Sequence, residues 1–242
     1  MTILILGGTA EARELAAALV ADGLDVISSL AGRVNSPSLP PGRVRVGGFG
    51  GAGGLADYLR RQQVSAVVDA THPFAATISA NALQAADRTS TPLVRLERPG
   101  WRGHPRSDSW TWVADPAAAR AAAEFAWRPF LTTGRQSLPD FHPWASREVL
   151  VRLVDPPTIP LPQRWTLIMS RGPYSYAGER QVLTDHGIDV LMTKDSGGAH
   201  TVAKLDAAAD LGIPVVIIAR PERLQVPRLE TVAEAVAWCR SA

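Results

Sequence analysis

The chain opens with a short strand, a glycine turn and a helix in direct succession. Thr2–Leu6 is an apolar run rich in isoleucine and leucine, and Gly7 and Gly8 follow it directly. An alanine-rich stretch, Ala10–Ala21, then shows the apolar spacing of a helix. Because glycine lacks a Cβ, the backbone at such a turn bends tightly and approaches a pyrophosphate, whose charge meets the positive end of the helix. The segment therefore predicts a βαβ fold with a nucleotide site at its glycine turn.

This turn departs from the pattern G-x-G-x-x-G that is typical of dinucleotide sites. Thr9 and Ala12 stand where the second and third glycines are expected. A plain strand-to-helix turn that binds no ligand therefore remains an alternative at this point.

The end of the second predicted strand favours the nucleotide site. Leu24–Ser29 is followed by Arg33, and no acidic residue lies between them. An NAD site usually holds Asp or Glu at this position for the ribose 2′-hydroxyl, whereas an arginine accommodates a 2′-phosphate. Ser29 and Arg33 therefore indicate NADP(H).

Apolar runs alternate with helical segments along the whole chain, which is typical of α/β folds with parallel sheets. In the first part the predicted strands are Thr2–Leu6, Leu24–Ser29, Val44–Val46, Ala66–Ala70 and Leu93–Leu96, with helices at Ala10–Ala21, Leu55–Gln62 and Ala75–Ala86. In the second part the predicted strands are Trp110–Val113, Phe130–Thr132, Val149–Val154, Leu167–Met169, Val190–Met192 and Val215–Ile218, with helices at Ala117–Ala126, Ser175–His186, Val202–Leu211 and Val232–Arg240. Proline and glycine cluster around residues 98–105, so we expect a domain boundary there. The fold class predicted is two Rossmann-like α/β domains with mainly parallel sheets and a ligand cleft between them.

The stretch 47–54 is almost entirely glycine, and only Phe49 and Ala52 interrupt it. We expect a flexible loop here rather than a helix or strand. It follows a predicted strand, on the side of the sheet where ligands bind in such folds.

Composition narrows the class of protein. The 242 residues are 46% hydrophobic and 20% charged, which is ordinary for a globular enzyme, and the net charge of +2 comes with no basic run that would suit a nucleic acid. No apolar stretch reaches membrane-spanning length, and the N-terminus has no signal-peptide pattern. Cys239 is the single cysteine, which excludes an internal disulfide. We therefore expect a cytoplasmic protein that binds neither nucleic acid nor a membrane.

Polar residues cluster after four predicted strands, at the edge where open α/β sheets bind ligands. Thr71 and His72 follow one strand, either to face a ligand or as a helix-capping threonine beside a passive histidine. The other three segments are Thr132-Thr133-Gly134-Arg135, Ser170-Arg171-Gly172-Pro173 and Lys194-Asp195-Ser196-Gly197. The last is the densest polar group in the chain, and a solvated turn with a helix cap is its alternative.

Lysine is rare in this chain, which has 25 Lys and Arg residues together. Lys194 and Lys204 are the only lysines, and they lie close together in the sequence. Lysine differs from arginine in being a compact point charge whose pKa shifts readily. The two lysines are therefore candidate anchors or proton donors, and chance clustering is the alternative.

Other chemistries lack support in the sequence. The five histidines and Cys239 show no metal-ligand spacing, so we predict no metal site. There is no G-x-S-x-G elbow of a serine hydrolase and no G-x-x-x-x-G-K-[ST] loop for phosphoryl transfer.

Taken together, these segments resemble the precorrin-6A reductase family of cobalamin biosynthesis, also called the precorrin-6x reductase family. The matching pieces are Leu4-Ile5-Leu6-Gly7-Gly8-Thr9, Ala31-Gly32-Arg33, Gly48-Phe49-Gly50-Gly51, Asp69-Ala70-Thr71-His72-Pro73-Phe74-Ala75, Arg95-Leu96-Glu97-Arg98-Pro99 with Trp101, Thr133-Gly134-Arg135, Ser170-Arg171-Gly172-Pro173, Thr193-Lys194-Asp195-Ser196-Gly197-Gly198 and Ala219-Arg220-Pro221. Each piece is weak alone, but they are collinear over nearly the whole chain and are jointly specific.

The resemblance implies NADPH-dependent reduction of one double bond in precorrin-6A to give precorrin-6B, by hydride transfer from the nicotinamide and protonation. It implies an NADPH-binding domain over residues 1–100 and a second α/β domain over 101–242 that contributes to the substrate cleft. The implied cofactor residues are Gly7, Gly8, Thr9 and Ala10 at the pyrophosphate, Ser29 and Arg33 at the 2′-phosphate, and Gly48, Phe49, Thr71 and His72 at the ribose and nicotinamide.

The implied substrate is a polycarboxylate tetrapyrrole, for which cationic side chains are the expected anchors. The substrate-binding candidates are Arg135, Arg171, Lys194, Ser196 and Lys204. The catalytic candidates for proton delivery are Asp195, His72 and Lys204, and bulk water competes with them. Neighbouring enzymes of the pathway are expected as transient partners.

Three alternatives stay open. The cobalt-containing precursor is the alternative substrate, because enzymes of both pathways share these motifs. A different NADP(H) oxidoreductase is disfavoured because none of Tyr58, Tyr174 and Tyr176 has a lysine four residues later. A non-catalytic NADP(H)-binding regulator would not need a second domain whose strand ends carry so many polar residues.

Overall fold

The computed structural model describes residues 1–32, 39–222 and 224–242. The chain divides into two compact units. Unit 1 consists of Met1–Arg98 together with Pro221–Ala242, and unit 2 consists of Pro99–Arg220. Arg33 falls between the described ranges, so its predicted place at the 2′-phosphate lies outside the described residues.

Unit 1 is built on one parallel sheet. Its strands are β1 (Thr2–Leu6), β2 (Asp25–Leu30), β3 (Arg43–Val46), β4 (Val64–Asp69), β5 (Leu93–Leu96) and β12 (Arg228–Leu229), and its helices are α1 (Ala10–Ala21), α2 (Gly51–Arg61), α3 (Ala76–Thr89) and α7 (Val232–Ser241). The strand order is β12-β5-β4-β1-β2-β3. This doubly wound order reverses direction between β1 and β4, which creates a crevice at their carboxyl ends.

The C-terminal segment closes the core of unit 1. Helix α7 buries Ala235 and Cys239 in the same apolar cluster as Leu15 and Leu19 of α1. Strand β12 pairs with β5, with Leu229 opposite Leu96. The sequence-based division placed all of residues 101–242 in a second domain, and the structure corrects this, because the last 22 residues cover the sheet of unit 1.

Unit 2 repeats the winding of unit 1. Its strands are β6 (Thr111–Val113), β7 (Pro129–Thr132), β8 (Leu150–Leu153), β9 (Thr166–Met169), β10 (Val190–Lys194) and β11 (Val215–Ile218), and its α-helices are α4 (Pro116–Ala122), α5 (Tyr176–Asp185) and α6 (Ala203–Asp210). The strand order is β6-β11-β10-β7-β8-β9, with every pairing parallel. Here the order reverses between β7 and β10, so the equivalent crevice lies at the carboxyl ends of these two strands.

The core of unit 2 is formed by the sheet and its covering helices. Phe130 of β7, Leu191 of β10 and Ile217 of β11 are buried with Leu205 of α6 and Leu183 of α5. The apolar runs that predicted these strands are therefore the runs that the sheet buries. The predicted fold class of two Rossmann-like α/β units with parallel sheets is confirmed.

Most predicted elements agree with the structure to within a few residues, and α2 is the main exception. The glycine-rich stretch was expected to be a loop, but α2 begins at Gly51 inside it. Leu55, Ala56 and Leu59 are buried against the sheet, and this burial extends the helix back into the glycines. A Cβ on Gly54 would overlap the backbone carbonyl of Phe49, so glycine is required where these segments meet.

Two smaller differences are one unpredicted strand and one helix end. Strand β12 has only two residues and was not predicted, and α4 ends at Ala122 rather than at Ala126. Among the helices in the described ranges, none is long and apolar enough to cross a membrane.

Candidate functional sites

The crevice of unit 1 lies at the carboxyl ends of β1 and β4. Gly8 has a φ of +117°, a conformation that L side chains rarely adopt, so glycine is required at this position. A Cβ on Gly7 would lie 3.4 Å from the Cβ of Ala12, so the strand and helix pack closely here. The predicted tight turn between β1 and α1 is therefore present, with its backbone free to approach a ligand.

Thr9 explains why the turn departs from the glycine pattern. Its Oγ1 accepts a hydrogen bond from the backbone N–H of Ala12 at 3.1 Å and so caps α1. The same hydroxyl donates to the carbonyl of Ala70 at 2.8 Å, which ties the turn to the end of β4. Threonine at this position thus fixes the positive end of the helix, where a pyrophosphate is stabilised.

The acidic residue in the first turn of α1 is neutralised. Glu11 forms an ion pair with Arg98, with 2.8 Å between Oε2 and Nη1. An unpaired carboxylate at this position would repel a phosphate. The residues of this turn are therefore compatible with a bound pyrophosphate.

The carboxyl ends of β2 and β3 carry a cation that the sequence analysis missed. Arg45 Nη1 donates to Ser29 Oγ at 2.8 Å and to the carbonyl of Gly47 at 2.9 Å, and Nη2 donates to the carbonyl of Gly48 at 3.1 Å. Its guanidinium carbon lies 3.8 Å from the centroid of the Phe49 ring. Ser29, Gly48 and Phe49, which were predicted separately as cofactor residues, are thus held together by one arginine.

The parallel pairing of β2 with β3 is the signal that would have found Arg45. In this register Ser29 is the partner of Arg45. Both strands were predicted, but their register was not, so the arginine next to Ser29 went unnoticed.

A buried charged network supports the segment after β4. Thr71 donates to Asp69 Oδ1 from its backbone N–H at 3.1 Å and from its hydroxyl at 2.6 Å. Asp69 Oδ2 lies 2.5 Å from Arg95 Nη1, and Arg95 Nε lies 2.6 Å from Glu97 Oε2. The alternative that Thr71 caps a helix is wrong, because α3 has Ala75 at its N-cap and Thr71 is bound to Asp69 instead.

His72 comes directly after this network. Its Nδ1 accepts a hydrogen bond from the backbone N–H of Phe74 at 3.2 Å. A neutral His72 ring therefore carries its proton on Nε2.

The predicted segment after β10 follows one of the two strands that border the crevice of unit 2, and its acidic residue is Asp195. The Oδ1 atom of Asp195 accepts from the backbone N–H of Trp101 at 2.8 Å, and Oδ2 lies 3.4 Å from Arg220 Nε. Arg220 also donates to the backbone carbonyl of Asp195 at 3.1 Å. A Cβ on Gly100 would lie 2.6 Å from Asp195 Oδ2, so the 99–101 segment closes directly over this carboxylate.

Both carboxylate oxygens of Asp195 are thus engaged by donors of unit 2. Ser196 next to it has its backbone N–H bonded to the carbonyl of Lys194 at 2.7 Å and its Oγ 3.4 Å from Thr201 Oγ1. The alternative of a solvated turn does not describe Asp195, which is buried. This geometry suits a residue that positions the surrounding loops.

Lys204 is buried in α6 with only 4% of its surface exposed. Its Nζ lies 5.1 Å from the centroid of the Trp101 ring. Burial lowers the pKa of Lys204 from 10.5 to about 7, with the charge of Glu179 opposing this shift and that of Arg152 adding to it. The amine is therefore poised to exchange a proton near neutral pH.

The two charged residues that act on Lys204 form a buried ion pair with each other. Arg152 Nη1 donates to Glu179 Oε1 at 2.7 Å and to Oε2 at 3.0 Å. The guanidinium of Arg152 also lies 4.3 Å from the centroid of the Tyr174 ring. Arg152 was not predicted as a site residue, although an arginine inside the apolar strand Leu150–Leu153 has to be paired when it is buried.

The remaining predicted anchors are spread along the edge of the unit 2 sheet. Lys194 ends β10 and is half-buried, which lowers its pKa, while the charge of Asp140 opposes this shift. Arg135 follows β7 and donates to the carbonyl of Pro156 at 3.2 Å. Arg171 is exposed and follows β9, which is three strands from β10 in the sheet. Since neighbouring strands are about 4.8 Å apart, the ends of β9 and β10 are separated by roughly 14 Å. Arg171 and Lys194 therefore do not lie in one cluster.

The fold and these sites define an α/β protein of the dinucleotide-binding type, with a glycine turn in one unit and a cationic, buried polar cluster in the other. The family described as "Precorrin-6x reductase CbiJ/CobK" matches residues 2–240 of this chain. A protein of Rhodococcus erythropolis named precorrin-6A reductase is 52% identical over 241 residues, which are 98% of this chain and 96% of that protein.

More distant relatives carry a related name. A protein of Priestia megaterium named cobalt-precorrin-6A reductase is 32% identical over 234 residues, with 91% of each protein covered. A solved structure named CobK precorrin-6A reductase has a TM-score of 0.93 and 42% identity, covering 100% of this chain and 96% of the other. The chain belongs to the precorrin-6x reductase family, and it is therefore an enzyme of the oxidoreductase class.

Proposed function

We propose that this enzyme reduces one double bond of precorrin-6A with NADPH to give precorrin-6B in cobalamin biosynthesis. The observation that carries the proposal is the 52% identity to a precorrin-6A reductase across 98% of the chain. The glycine turn capped by Thr9 supports the cofactor part of it, because this turn suits a dinucleotide pyrophosphate.

NADPH supplies a hydride when it is bound, and the protein has to hold it in a fixed position. In this proposal Gly7, Gly8, Thr9 and Ala10 bind the pyrophosphate at the start of α1. Ser29 binds the 2′-phosphate on the ribose, and Arg33 is proposed to bind the same phosphate. Gly48 and Phe49, which Arg45 holds beside Ser29, flank the ribose, and Thr71 and His72 flank the nicotinamide. The Asp69 network keeps the Thr71 backbone in place.

The substrate carries many carboxylates, and unit 2 supplies cations for them. Lys194 and Arg135 follow the two strands on either side of the unit 2 crevice, so they are the best-placed anchors. Ser196 adds a hydroxyl next to Lys194. Arg171 follows the edge strand and would serve a carboxylate on the far side of a large macrocycle.

Among the three catalytic candidates, Lys204 is the group that we propose to deliver the proton. A proton donor works best when its pKa is near the working pH, and burial lowers the pKa of Lys204 to about 7. Asp195 has both oxygens engaged by Trp101 and Arg220, so we assign it a positioning role. His72 follows the carboxyl end of β4 in unit 1, so we assign it to the cofactor.

Metal-free precorrin-6A is favoured over the cobalt-containing precursor. The relative named for precorrin-6A is 52% identical to this chain, and the relative named for cobalt-precorrin-6A is 32% identical. Substrate preference within a family follows the residues that contact the substrate, so the more similar relative is the better guide.

The test is anaerobic incubation of the purified enzyme with NADPH and precorrin-6A. We expect loss of nicotinamide absorbance in step with formation of a product that is heavier by two hydrogens. Turnover of cobalt-precorrin-6A alone would move the proposal to the cobalt-containing substrate. Tight NADPH binding without turnover of either substrate would contradict it and favour a regulator.

A further inference from the structure

The arginine at the end of β3 is placed where a dinucleotide exposes its ribose. In doubly wound sheets the carboxyl end of the second strand contacts the ribose that carries the 2′-substituent. Ser29 stands at that end of β2, and Arg45 is its partner on β3. The Ser29 hydroxyl and the Arg45 guanidinium lie 2.8 Å apart, which is close enough for one anion to contact both.

In the part of the chain that the structure describes, the charge of Arg45 is not neutralised by a carboxylate. Its three acceptors are the Ser29 hydroxyl and the carbonyls of Gly47 and Gly48, all of which are neutral. Within residues 1–32, 39–222 and 224–242, no carboxylate is paired with Arg45. A guanidinium has five N–H donors, so two remain for a ligand.

Arg43 shows that the lack of a paired carboxylate is particular to Arg45 and is not shared by every arginine of β3. It lies two residues earlier on β3, so its side chain leaves the strand on the same face. Arg43 is paired with Asp25, with Nε and Nη2 at 3.0 Å and 2.5 Å from the two carboxylate oxygens. One arginine of β3 thus forms a structural ion pair, and the other keeps its charge for an external anion.

The guanidinium is also held in one orientation before any ligand binds. It lies 3.8 Å from the centroid of the Phe49 ring and 5.2 Å from that of Tyr58, and these two rings are themselves in edge-to-face contact. Such stacking fixes the guanidinium plane and reduces the entropy lost on binding. Because Ser29 Oγ accepts from Arg45, its own hydrogen remains available to donate to an anion.

We propose that Arg45 is a specificity-determining residue that binds the 2′-phosphate of NADPH together with Ser29. This inference rests on the proposed function, in which NADPH is the cofactor. It adds a residue that makes the enzyme prefer the phosphorylated dinucleotide over NADH.

The experiment is a binding titration that needs no turnover. The dissociation constants of NADPH, NADH and 2′,5′-ADP are measured by calorimetry for the wild type, Arg45→Ala, Arg45→Lys and Arg43→Ala. Loss of a charge-assisted contact is expected to weaken NADPH and 2′,5′-ADP binding to Arg45→Ala by about 10- to 100-fold. NADH binding should change by less than about twofold, and Arg45→Lys should retain part of the preference.

Arg43→Ala is the matched control, because it removes a cation from the same face of β3 and should leave the preference for NADPH unchanged. Thermal unfolding verifies that each variant is folded, and Arg45→Lys keeps the test valid if Arg45→Ala is not. A wild type that prefers NADPH while Arg45→Ala keeps that preference would overturn this inference and leave the proposed function standing. Equal weakening of both cofactors would also overturn it, since Arg45 would then only hold the 47–49 turn. A wild type without any preference for NADPH would instead refute the NADPH part of the proposed function.

Discussion

The two units wind their sheets in the same order but differ in the connection after the central strand. In unit 1, β1 passes through Gly8 into the regular helix α1, whose start is capped by Thr9. In unit 2, β7 passes through Gly134 into a 3₁₀ segment, Arg135–Trp144, that contains Pro139 and Pro143. Unit 2 therefore has no α-helix end at this place to stabilise an anion, and any anion must be bound by cationic side chains. The same strand order is thus compatible with two kinds of ligand site, depending on the connection after one strand.

The units also differ in how they neutralise a buried arginine that lies in the same four-residue strand sequence. Strands β5 and β8 both have the sequence Leu-Val-Arg-Leu, and each buries its arginine. Arg95 of unit 1 is shared between the two acids Asp69 and Glu97. Arg152 of unit 2 has one acid, Glu179, which also faces the charge of Lys204. Burial lowers the pKa of Lys204, and the single carboxylate of Glu179, which is paired with Arg152, opposes this shift only in part.

The largest expected effect is on stability, when one acid partner of each buried arginine is removed. Glu179→Gln leaves Arg152 buried without its carboxylate and should lower the free energy of unfolding by about 3–5 kcal/mol. The matched variant in unit 1, Asp69→Asn, should lower it by only about 1–3 kcal/mol, because Arg95 keeps Glu97. Urea denaturation of both variants measures the two values. Equal losses would show that the two arginines are equally well compensated, contrary to this account.

A second effect appears in the pH dependence of stability. Because the pKa of Lys204 is about 7 in the folded enzyme and 10.5 ordinarily, the unfolded chain holds a proton in this interval that the folded enzyme has released. Raising the pH through this interval therefore stabilises the fold, and the destabilising contribution of Lys204 is fully present below about pH 7. From pH 7 to 9, the stability of the wild type relative to Lys204→Met should rise by about 2 kcal/mol. A constant difference between the two proteins across this range would show that the lysine is not titrating there.

The smallest effect compares the two helix caps. Thr9→Val removes the cap of α1 and the hydrogen bond to the carbonyl of Ala70. It should lower the stability by about 1–2 kcal/mol, and it should also weaken NADPH binding. Ser175 caps α5, because its Oγ accepts a hydrogen bond from the N–H of Gly178 at 3.1 Å. Ser175→Ala removes this cap and should cost about 1 kcal/mol of stability, with NADPH affinity unchanged. Thermal unfolding and cofactor titration measure both. A loss of affinity in Ser175→Ala, or none in Thr9→Val, would contradict the assignment of the cofactor to unit 1.

Sequence patterns predicted the features that depend on neighbouring residues. Helix α1 was predicted with its observed bounds because its apolar spacing, glycine turn and capping threonine are all local. The prediction that Ser175 begins a helix is confirmed for the same reason. Strand β12 was missed because its two residues are strand-forming only when β5, far away in the sequence, lies beside them. Its apolar content is too small to be recognised from the sequence alone.

The sites show the same division. The glycine turn and the polar strand ends were found from local pattern, but the partners that give each residue its role come from other strands. Thr71 was considered as a helix cap because the sequence does not show that its hydroxyl binds Asp69 instead, which only the structure reveals. The pairing of Asp195 with Trp101 joins residues far apart in the chain. Lys204 was selected for its rarity, whereas its lowered pKa results from burial that only the fold reveals.

Amide hydrogen exchange with and without NADPH tests most directly whether unit 1 holds the cofactor. We expect slower exchange on NADPH addition at residues 7–12, 45–49 and 70–74, which form the turn of α1, the Arg45 region and the segment after β4. Subsequent addition of precorrin-6A should slow exchange at residues 133–137 and 194–198 of unit 2. NADPH protection confined to these unit 2 segments, with the unit 1 segments unchanged, would contradict the account.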